Sequence, residues 1–591
     1  MIKNDTRKGT FLNIILAAVL TAACVIVVRI FYVFTYGVID DAFIQMVLSG
    51  AYTGVPDAHV VYIKYPLAWI LKTLFTMMPG FNWHFHLLTG CFVTSVFLVV
   101  FRICSNVRKV LNKVLLSILF ELLFVLCLVK LYTTAHYSMC AGVLVGTAIF
   151  YFLTIKKDCS AGNRALNYIV CLLLLYLAYC LRARTVFMLL PLAFVAFLYQ
   201  FFRETKAFRA KNVIRWILFP ILLFAGLAVL ELGNRAAYRS EEWKAFLTFN
   251  DARTTLYDFY GVPPYDGNEE FYASLGISKE RAQMYKEGYY LEFTDGMAED
   301  MLPQIADYAV KISYEKVPFG ERLLLTLKAL PKNLTAKTYR PMSLITAGLF
   351  VFLLIASLLA RKKKMFLFLL LGIVASLIPW LYMIFMGKPA PRVTSGIWYA
   401  DLLFGFALLI HHADEISAWI DRKEKASTVV KVLAKVILAA GCGVLLFGGI
   451  WKQYKKTEQD VWSILITGSV RAKLEEWCES DPENLYVCES DVINLGFDQS
   501  VMDASFHNLY WPGGWPSKMP QTKEIWGRYG IDSIETAILE NEHVYLIAFA
   551  DCDMTYWVDF YKEKDPNVKL TKTETLEFDG VNFAVYRLRR N

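Results

Sequence analysis

Two adjacent carboxylates, Asp40 and Asp41, follow directly on the first long apolar run of the chain, residues 11–34. Charge placed beside the hydrocarbon of a bilayer is costly and is usually there for a function. Such a carboxylate can act as general base on an acceptor hydroxyl, while its neighbour raises its pKa or shares a divalent cation with it. Metal dependence stays open at this point. The structural alternative is an N-cap for a helix that starts near Ala42.

A basic turn comes back to the membrane soon after the acidic pair, at Lys64-Tyr65-Pro66-Leu67. Lys64 is a compact positive charge that suits a phosphate oxygen. The alternative is a lysine that extends toward the lipid headgroups. His59, in the loop before this turn, is either a site residue or a solvated loop residue.

Further cations lie where the positive-inside rule disfavours them. Arg182 and Arg184 flank the outer end of one apolar run, and Arg392 follows a rigid Pro-Ala-Pro segment. Bidentate arginine suits phosphate, so we expect an anionic partner here, and the alternative is an ion pair with a loop carboxylate. His136, in a short outer loop, either hydrogen-bonds a sugar or phosphate or is a satisfied loop residue.

The elements that must position these residues are membrane helices. The chain has 591 residues, of which 56% are hydrophobic, more than an ordinary soluble domain carries. The excess is concentrated in runs of near the ~20 residues that a bilayer requires, which predict about eleven spans. These are residues 11–34, 83–103, 114–131, 138–154, 166–181, 186–202, 213–232, 342–360, 365–386, 397–411 and 430–450. The run at 62–79 is interrupted by charge and proline, and predicts a re-entrant or interfacial helix.

Every second loop is basic, which predicts a multi-pass protein of the cell membrane with a cytoplasmic N-terminus. The first outer loop, residues 233–341 and the tail after 451 then lie outside. The net charge of +8 comes largely from the cytoplasmic loops, so it gives no indication of a nucleic-acid partner.

Four regions follow from this pattern. Residues 1–232 form an N-terminal transmembrane block with a catalytic first outer loop at 35–82. Residues 233–341 form a large extracytoplasmic loop, and residues 342–450 a second transmembrane block. Residues 451–591 form an extracytoplasmic α/β domain, with strands near 485–488, 543–549 and 581–586 and helices near 470–478 and 532–539. The spacing leaves a Cys478–Cys488 bridge open.

The sequence has no metal-ligand cluster, P-loop, nucleophile elbow or dinucleotide fingerprint. Nothing in it indicates the use of ATP. A donor that is already activated as a lipid phosphate is consistent with these features.

The acidic pair, the short loop and Lys64-Tyr65-Pro66-Leu67 resemble the GT-C superfamily of membrane glycosyltransferases, in its protein mannosyltransferase and aminoarabinose transferase branch. Asp41 stands where that branch has glutamate, and Tyr65 where it has proline. The motif covers residues 11–80, and the rest of the chain matches in plan. The resemblance implies an inverting transfer of sugar from a polyprenyl phosphate, with Asp40 or Asp41 as base and with Lys64 and Arg392 on the donor phosphate. The long insertion and the short tail suggest a divergent bacterial branch.

The prediction is therefore an all-α polytopic membrane protein of GT-C type with a C-terminal extracytoplasmic α/β domain. It is a glycosyltransferase whose partners are a polyprenyl-phosphate sugar, a cell-surface acceptor and the lipid bilayer. The alternatives are a lipid-linked sugar transporter or flippase, which predicts midplane charges and an inverted repeat, a glycan polymerase or ligase with a lipid-pyrophosphate donor, and a surface assembly protein without catalysis.

Overall fold

The computed structural model describes residues 7–134, 136–157, 159–204, 210–288, 297–423, 428–489, 492, 495 and 508–590. The first block contains helices α1 to α8: Arg7–Phe31, Ile39–Ser49, Tyr65–Met77, Trp83–Asn106, Val110–Thr133, Tyr137–Leu153, Ala161–Arg203 and Ala210–Ala237. Helices α14 to α17 form the second block: Met342–Leu359, Lys363–Phe385, Pro391–Lys423 and Thr428–Glu479.

Between these two blocks lies a helical insertion. It comprises α9 (Glu241–Arg253), a π-helical segment (Thr254–Tyr260), α10 (Glu269–Ser274), α11 (Lys279–Lys286), α12 (Met297–Lys316), α13 (Phe319–Leu334) and a 3-10 turn (Lys337–Tyr339). The π-helical segment ends at Gly261, whose φ of 80° is readily adopted by glycine. π-Helical turns are rare and recur at functional sites.

Eight of the described helices are long and apolar enough to cross a membrane. They are Gly9–Phe31, Trp83–Asn106, Val110–Thr133, Ala161–Arg203, Val213–Ala237, Met342–Leu359, Lys363–Phe385 and Pro391–His412. Helix α6 is a shorter apolar helix, and α3, at the interrupted run, has 13 residues. With the C-terminal sheet described below, this confirms a polytopic all-helical membrane protein with a C-terminal α/β domain.

Helix α7 is two spans joined by a sharp bend at Arg182, where φ is −159° and ψ is 92°. Tyr168 precedes the bend and Phe197 follows it, and both rings contact Phe152 of α6, at 5.9 and 6.3 Å. The two halves therefore run side by side in opposite directions. This agrees with the prediction of separate spans at 166–181 and 186–202.

Helix α6 is the centre of the bundle, and every one of its residues is buried. It crosses α16 at very short range: a Cβ added to Gly142 would lie 2.8 Å from the Cα of Gly396. One turn further on, a Cβ on Gly146 would lie 3.0 Å from the Cα of Ala400. Small residues four apart on facing helices permit this close packing in membranes. The crossing fixes the start of α16 against the start of α6.

At the far end of α6, side chains of neighbouring spans satisfy the carbonyls that a helix terminus leaves without partners. Gln200 Nε2 donates to the Leu153 carbonyl at 2.5 Å, and Arg102 donates to the Thr154 carbonyl. Arg203 contacts His411 at 3.1 Å in the same cluster. The ends predicted to be cytoplasmic thus lie together.

The C-terminal domain is a five-stranded sheet in the order β2-β1-β3-β5-β4. Its strands are Leu485–Cys488, Leu509–Tyr510, Val544–Phe549, Val568–Phe578 and Val581–Arg590. Strands β1, β2 and β3 are parallel, and β5 pairs antiparallel with both β3 and β4. Around the sheet lie a 3-10 turn (Pro516–Lys518), α18 (Thr522–Arg528), α19 (Ile534–Glu540) and α20 (Thr555–Lys562).

The predicted strands and the helices near 470–478 and 532–539 are present, whereas β2 and β4 were not predicted. Helix α17 runs through residue 451, so the first strand begins only at Leu485. Cys478 and Cys488 are buried free thiols, and the bridge left open by their spacing is not formed.

Candidate functional site

A cavity of about 690 Å³ opens at the bend of α7, between the end of α8, the α9 and π-helical region, the end of α15 and the start of α16. Four of the predicted phosphate-binding cations line it: Lys64, Arg182, Arg184 and Arg392. The lining also includes the apolar side chains Phe187, Met188, Pro191, Ile378, Met383 and Val393. A cavity lined by cations and by apolar side chains is complementary to a phosphate that carries a hydrocarbon chain.

The bend of α7 places Arg182 in this cavity. Its guanidinium lies over the rings of Tyr62 and Tyr137, at 5.3 and 5.5 Å from their centroids. These two rings stack on each other at 5.5 Å, and Arg253 of α9 donates to the Tyr62 hydroxyl at 3.2 Å. These two stacked rings, the aromatic shelf, thus hold the guanidinium of Arg182 by cation–π contact.

Arg392 stands in the first turn of α16, directly after Pro391, a residue that suits the first position of a helix. Arg184 lies at the exposed rim, where its charge acts on Asp251 of α9. Across the described part of the chain, no salt bridge joins Arg182, Arg184 or Arg392 to a carboxylate, which speaks against the ion-pair alternative.

Asp40 lies half-buried in the first turn of α2 and feels the charges of Arg392, Arg253 and Arg182. Burial raises the pKa of Asp40 above its usual value, against the opposing effect of these arginines. The arrangement places a carboxylate of raised pKa near Arg182 and Arg392, two of the cations that line the cavity.

Asp41 has different surroundings, because it is fully buried behind Asp40. Its Oδ1 accepts from His84 Nε2 at 3.1 Å and from the backbone N–H of Tyr137 at 3.4 Å. Burial raises the pKa of Asp41 to about 6, and the bond from His84 opposes that rise. The N-cap of α2 is Val38, with no capping side chain, so the capping alternative for the acidic pair is wrong.

Lys64 lines the cavity but is engaged at 2.7 Å with Glu231 near the end of α8, and Tyr179 also donates to Glu231, at 2.9 Å. A second cavity cation, Lys388, pairs with Asp258 of the π-helical segment. Contact between Lys64 and a donor phosphate therefore stays a prediction, since the lysine already has a carboxylate partner.

The two predicted histidines are not brought into the cavity. His136 is buried, accepts the Ser138 N–H through Nδ1 at 2.9 Å and faces Asp41, with Nε2 3.9 Å from its Oδ2. His59 contacts Asp57 at 2.7 Å and the Ala237 carbonyl at 3.3 Å and stacks on Trp243. Both nitrogens of His59 are thus engaged away from the cavity.

Three residues of the site were missed: His84, Arg253 and Asp258. His84 opens α4 in a Trp-His-Phe-His run, an available signal, because a histidine at the polar start of a span is unusual. Arg253 and Asp258 come from an insertion more than two hundred residues after Asp40, and no sequence spacing relates them to it.

Across the described ranges, no three His, Cys, Asp or Glu side chains are grouped as metal ligands.

No family model matches the chain, and no curated protein matches it. Among solved structures, it is similar to crystal structures of the aminoarabinose transferase ArnT from Cupriavidus metallidurans, the branch that the motif resembles. The structure bound to undecaprenyl phosphate matches with a TM-score of 0.35 and 12% identity, over 97% of both chains. The apo structure matches with a TM-score of 0.36 and 13% identity, over 96% of this chain and 97% of that one. Similarity this low carries no argument about function, which rests on the cavity itself.

Proposed function

We propose that this protein is an integral membrane glycosyltransferase that moves a sugar from a polyprenyl-phosphate donor to a hydroxyl of a cell-surface acceptor. The observation that carries this proposal is the cavity, which is lined by apolar side chains and by Arg182, Arg184 and Arg392, none of them in a salt bridge within the described part of the chain. Asp40 lies near it and feels the charges of Arg182 and Arg392. The basic loops predict that the cavity faces the outside of a cell membrane.

Asp40 is the proposed general base. It takes the proton of the acceptor hydroxyl while the acceptor oxygen forms a bond to the anomeric carbon of the sugar. The bond from that carbon to the phosphate oxygen breaks, and its electron pair remains on the departing phosphate. Attack opposite the leaving group inverts the anomeric centre. The raised pKa of Asp40 favours this role, because a base acts best when its pKa approaches the working pH.

Arg182 and Arg392 are the proposed stabilisers of the departing phosphate, with Lys64 and Arg184 at its edges. A guanidinium keeps its charge at all relevant pH values and binds phosphate through two parallel bonds. The aromatic shelf under Arg182 fixes it before the substrate arrives, so no reorganisation is needed as charge develops on the leaving group.

A lipid-pyrophosphate donor, as used by a glycan polymerase or ligase, is the second candidate. The observation that favours it is the number of arginines: Arg182, Arg184 and Arg392 bring more charge than one phosphodiester neutralises. Offering the membrane preparation matched monophosphate and pyrophosphate sugar donors separates the two candidates, since only the correct donor is consumed.

The test of the proposed function is turnover of a polyprenyl-phosphate sugar by membranes that contain the wild type or Asp40→Asn, followed by mass spectrometry of donor and product. We expect Asp40→Asn to lose at least a hundredfold in turnover, within the range that a general base contributes. Glu241→Gln is the matched control, because Glu241 is an exposed carboxylate of α9 outside the cavity. Normal turnover by Asp40→Asn would refute the assignment of the base.

A further inference from the structure

The side chains around Asp41 form a cluster that the proposed reaction does not yet use. Both Asp41 and His84 have side chains that are 0% exposed, and the side chain of His136 is 4% exposed. The three residues come from α2, from the first turn of α4 and from the residue before α6. A carboxylate at the meeting point of three elements constrains all of them.

Hydrogen bonding fixes the tautomers in this cluster. His136 Nδ1 accepts the N–H of Ser138, so the proton of the neutral ring is on Nε2, the atom that faces Asp41 Oδ2 at 3.9 Å. Burial lowers the pKa of His136 well below its usual value and keeps that ring neutral. His84 Nε2 faces Asp41 Oδ1, which accepts from it. Asp41 is thus faced by N–H groups from His84, His136 and the Tyr137 backbone, an arrangement that suits an anion.

We propose that Asp41 is a positioning residue, held as an anion by His84, which fixes the direction of Asp40 and strengthens it as a base. This inference rests on the proposed function. It assigns the two carboxylates of the pair to different roles: Asp40 meets the acceptor, and Asp41 acts only through Asp40.

The need for such a residue follows from the charges around Asp40. Three cations act on it from three different elements, Arg182 of α7, Arg253 of α9 and Arg392 of α16, while burial and Asp258 of the π-helical segment act against them. The cations lower the pKa of the carboxylate and so weaken it as a base. Asp40 raises the pKa of Asp41, and an ionised Asp41 repels the charge of Asp40 by the same interaction. An ionised Asp41 therefore offsets part of the arginine field.

The test is the pH dependence of kcat/KM for sugar transfer by the full-length protein in detergent or nanodiscs. Asp41→Asn removes the charge and keeps the size of the side chain. We expect the acid limb of the kcat/KM profile to shift to lower pH by about one unit, a small effect for the loss of a neighbouring like charge. We also expect kcat/KM above that limb to fall by about tenfold to a hundredfold, because Asp40 is less basic and less well oriented. His84→Ala should give the same shift, and the double variant should be no worse than Asp41→Asn alone, because the two residues act as one unit.

Two further variants keep the test decisive. His84→Asn retains an N–H donor. Its pH profile should therefore have an acid limb close to the wild-type position, whereas the limb of His84→Ala is shifted. Gln45→Met is the structural control, because Gln45 joins α2 to Asn82 at the start of α4 and carries no charge that could act on Asp40. Gln45→Met should lower kcat and leave the acid limb of the kcat/KM profile at its wild-type pH.

Distinct outcomes overturn the inference and the function. If Asp40→Asn is inactive and the folded Asp41→Asn has an unshifted acid limb, Asp41 does not tune Asp40 and the inference fails alone. If Asp41→Asn is inactive and Asp40→Asn is active, the roles of the two carboxylates are reversed. If the wild type consumes no lipid-linked sugar donor, the proposed function itself fails.

Discussion

At the scale of single residues, the pairing of Lys64 with Glu231 poses the clearest question. The lysine lies in the cavity where a donor phosphate is proposed, yet its ammonium is 2.7 Å from the glutamate near the end of a membrane helix. A carboxylate in that place is costly unless paired. Lys64 can therefore neutralise Glu231, bind the donor phosphate, or do first one and then the other.

Paired substitutions separate these roles. If Lys64 binds the phosphate, Lys64→Ala should raise KM for the donor by about tenfold, the worth of one charge-assisted contact. Glu231→Gln should keep turnover or improve donor binding, because it releases the ammonium. If the lysine only neutralises Glu231, the double variant should be as active as the wild type. Donor KM and thermal stability in detergent, measured on all three variants, distinguish the cases.

At the scale of elements, the crossing of α6 and α16 sets the geometry of the site. Gly142 lies about one and a half turns after His136 and Tyr137, and Gly396 about one turn after Arg392. Because their Cα atoms approach so closely, the distance between Arg392 and the Asp41 cluster depends on two residues that carry no functional group.

Gly142→Val should therefore reduce sugar transfer although it changes no polar atom. The added methyls meet backbone at Gly396, where no side chain can move aside, and overpacking of this kind costs about 1–3 kcal/mol. Gly348→Val on α14 is the matched control, since a Cβ there meets nothing within 4 Å. Equal activity and equal melting temperatures for the two variants would contradict the proposed role of the crossing.

The elements also show what the sequence can and cannot predict. Long apolar runs predicted the spans, including the break inside α7, because Arg182 and Arg184 interrupt its hydropathy. Strand β4 was missed, since its lysines and threonines give an exposed edge strand no apolar alternation. The burial of Asp401 of α16 was not predicted either: it lies inside the apolar run 397–411, and its partner Ser376 is on another helix.

At the scale of the whole molecule, the C-terminal domain rests on the helix that carries the acidic pair. Phe43 of α2 meets the rings of Trp511 and Trp515 edge-on, at 5.1 and 6.3 Å. Tyr52 donates to the Pro516 carbonyl at 3.0 Å, and Gln521 donates to Asp57 at 3.0 Å. The domain thereby supports the loop between α2 and α3.

This contact predicts a long-range effect on catalysis. Trp515→Leu removes ring contacts to both Phe43 and Tyr62, so α2 and the aromatic shelf under Arg182 lose a support. We expect turnover to fall by about tenfold, since small displacements of reacting groups are costly. Phe549→Ala, in the sheet and against Phe583, is the control for a lost aromatic contact within the domain. Similar turnover in both variants would show that the domain does not brace the site.

The site as a whole is beyond what spacing along the chain reveals. Asp40, Lys64, Arg182 and Arg392 were each singled out by a charge at a membrane surface. Lys64, Arg182 and Arg392 line one cavity, and Asp40 lies close enough to feel the charges of the two arginines. Which of Asp40 and Asp41 is turned toward these arginines depends on the rotation of α2. That rotation is set by His84 and Tyr137, at sites far along the chain.

The most direct measurement of the central claim is donor binding and sugar transfer, measured on the same purified samples of wild type, Asp40→Asn and Arg392→Gln with a polyprenyl-phosphate sugar. The account predicts that Asp40→Asn binds the donor as the wild type does but does not transfer the sugar, while Arg392→Gln loses binding. Transfer at the wild-type rate by Asp40→Asn, or unchanged donor binding by Arg392→Gln, would contradict the division of this cavity into a base and a phosphate site.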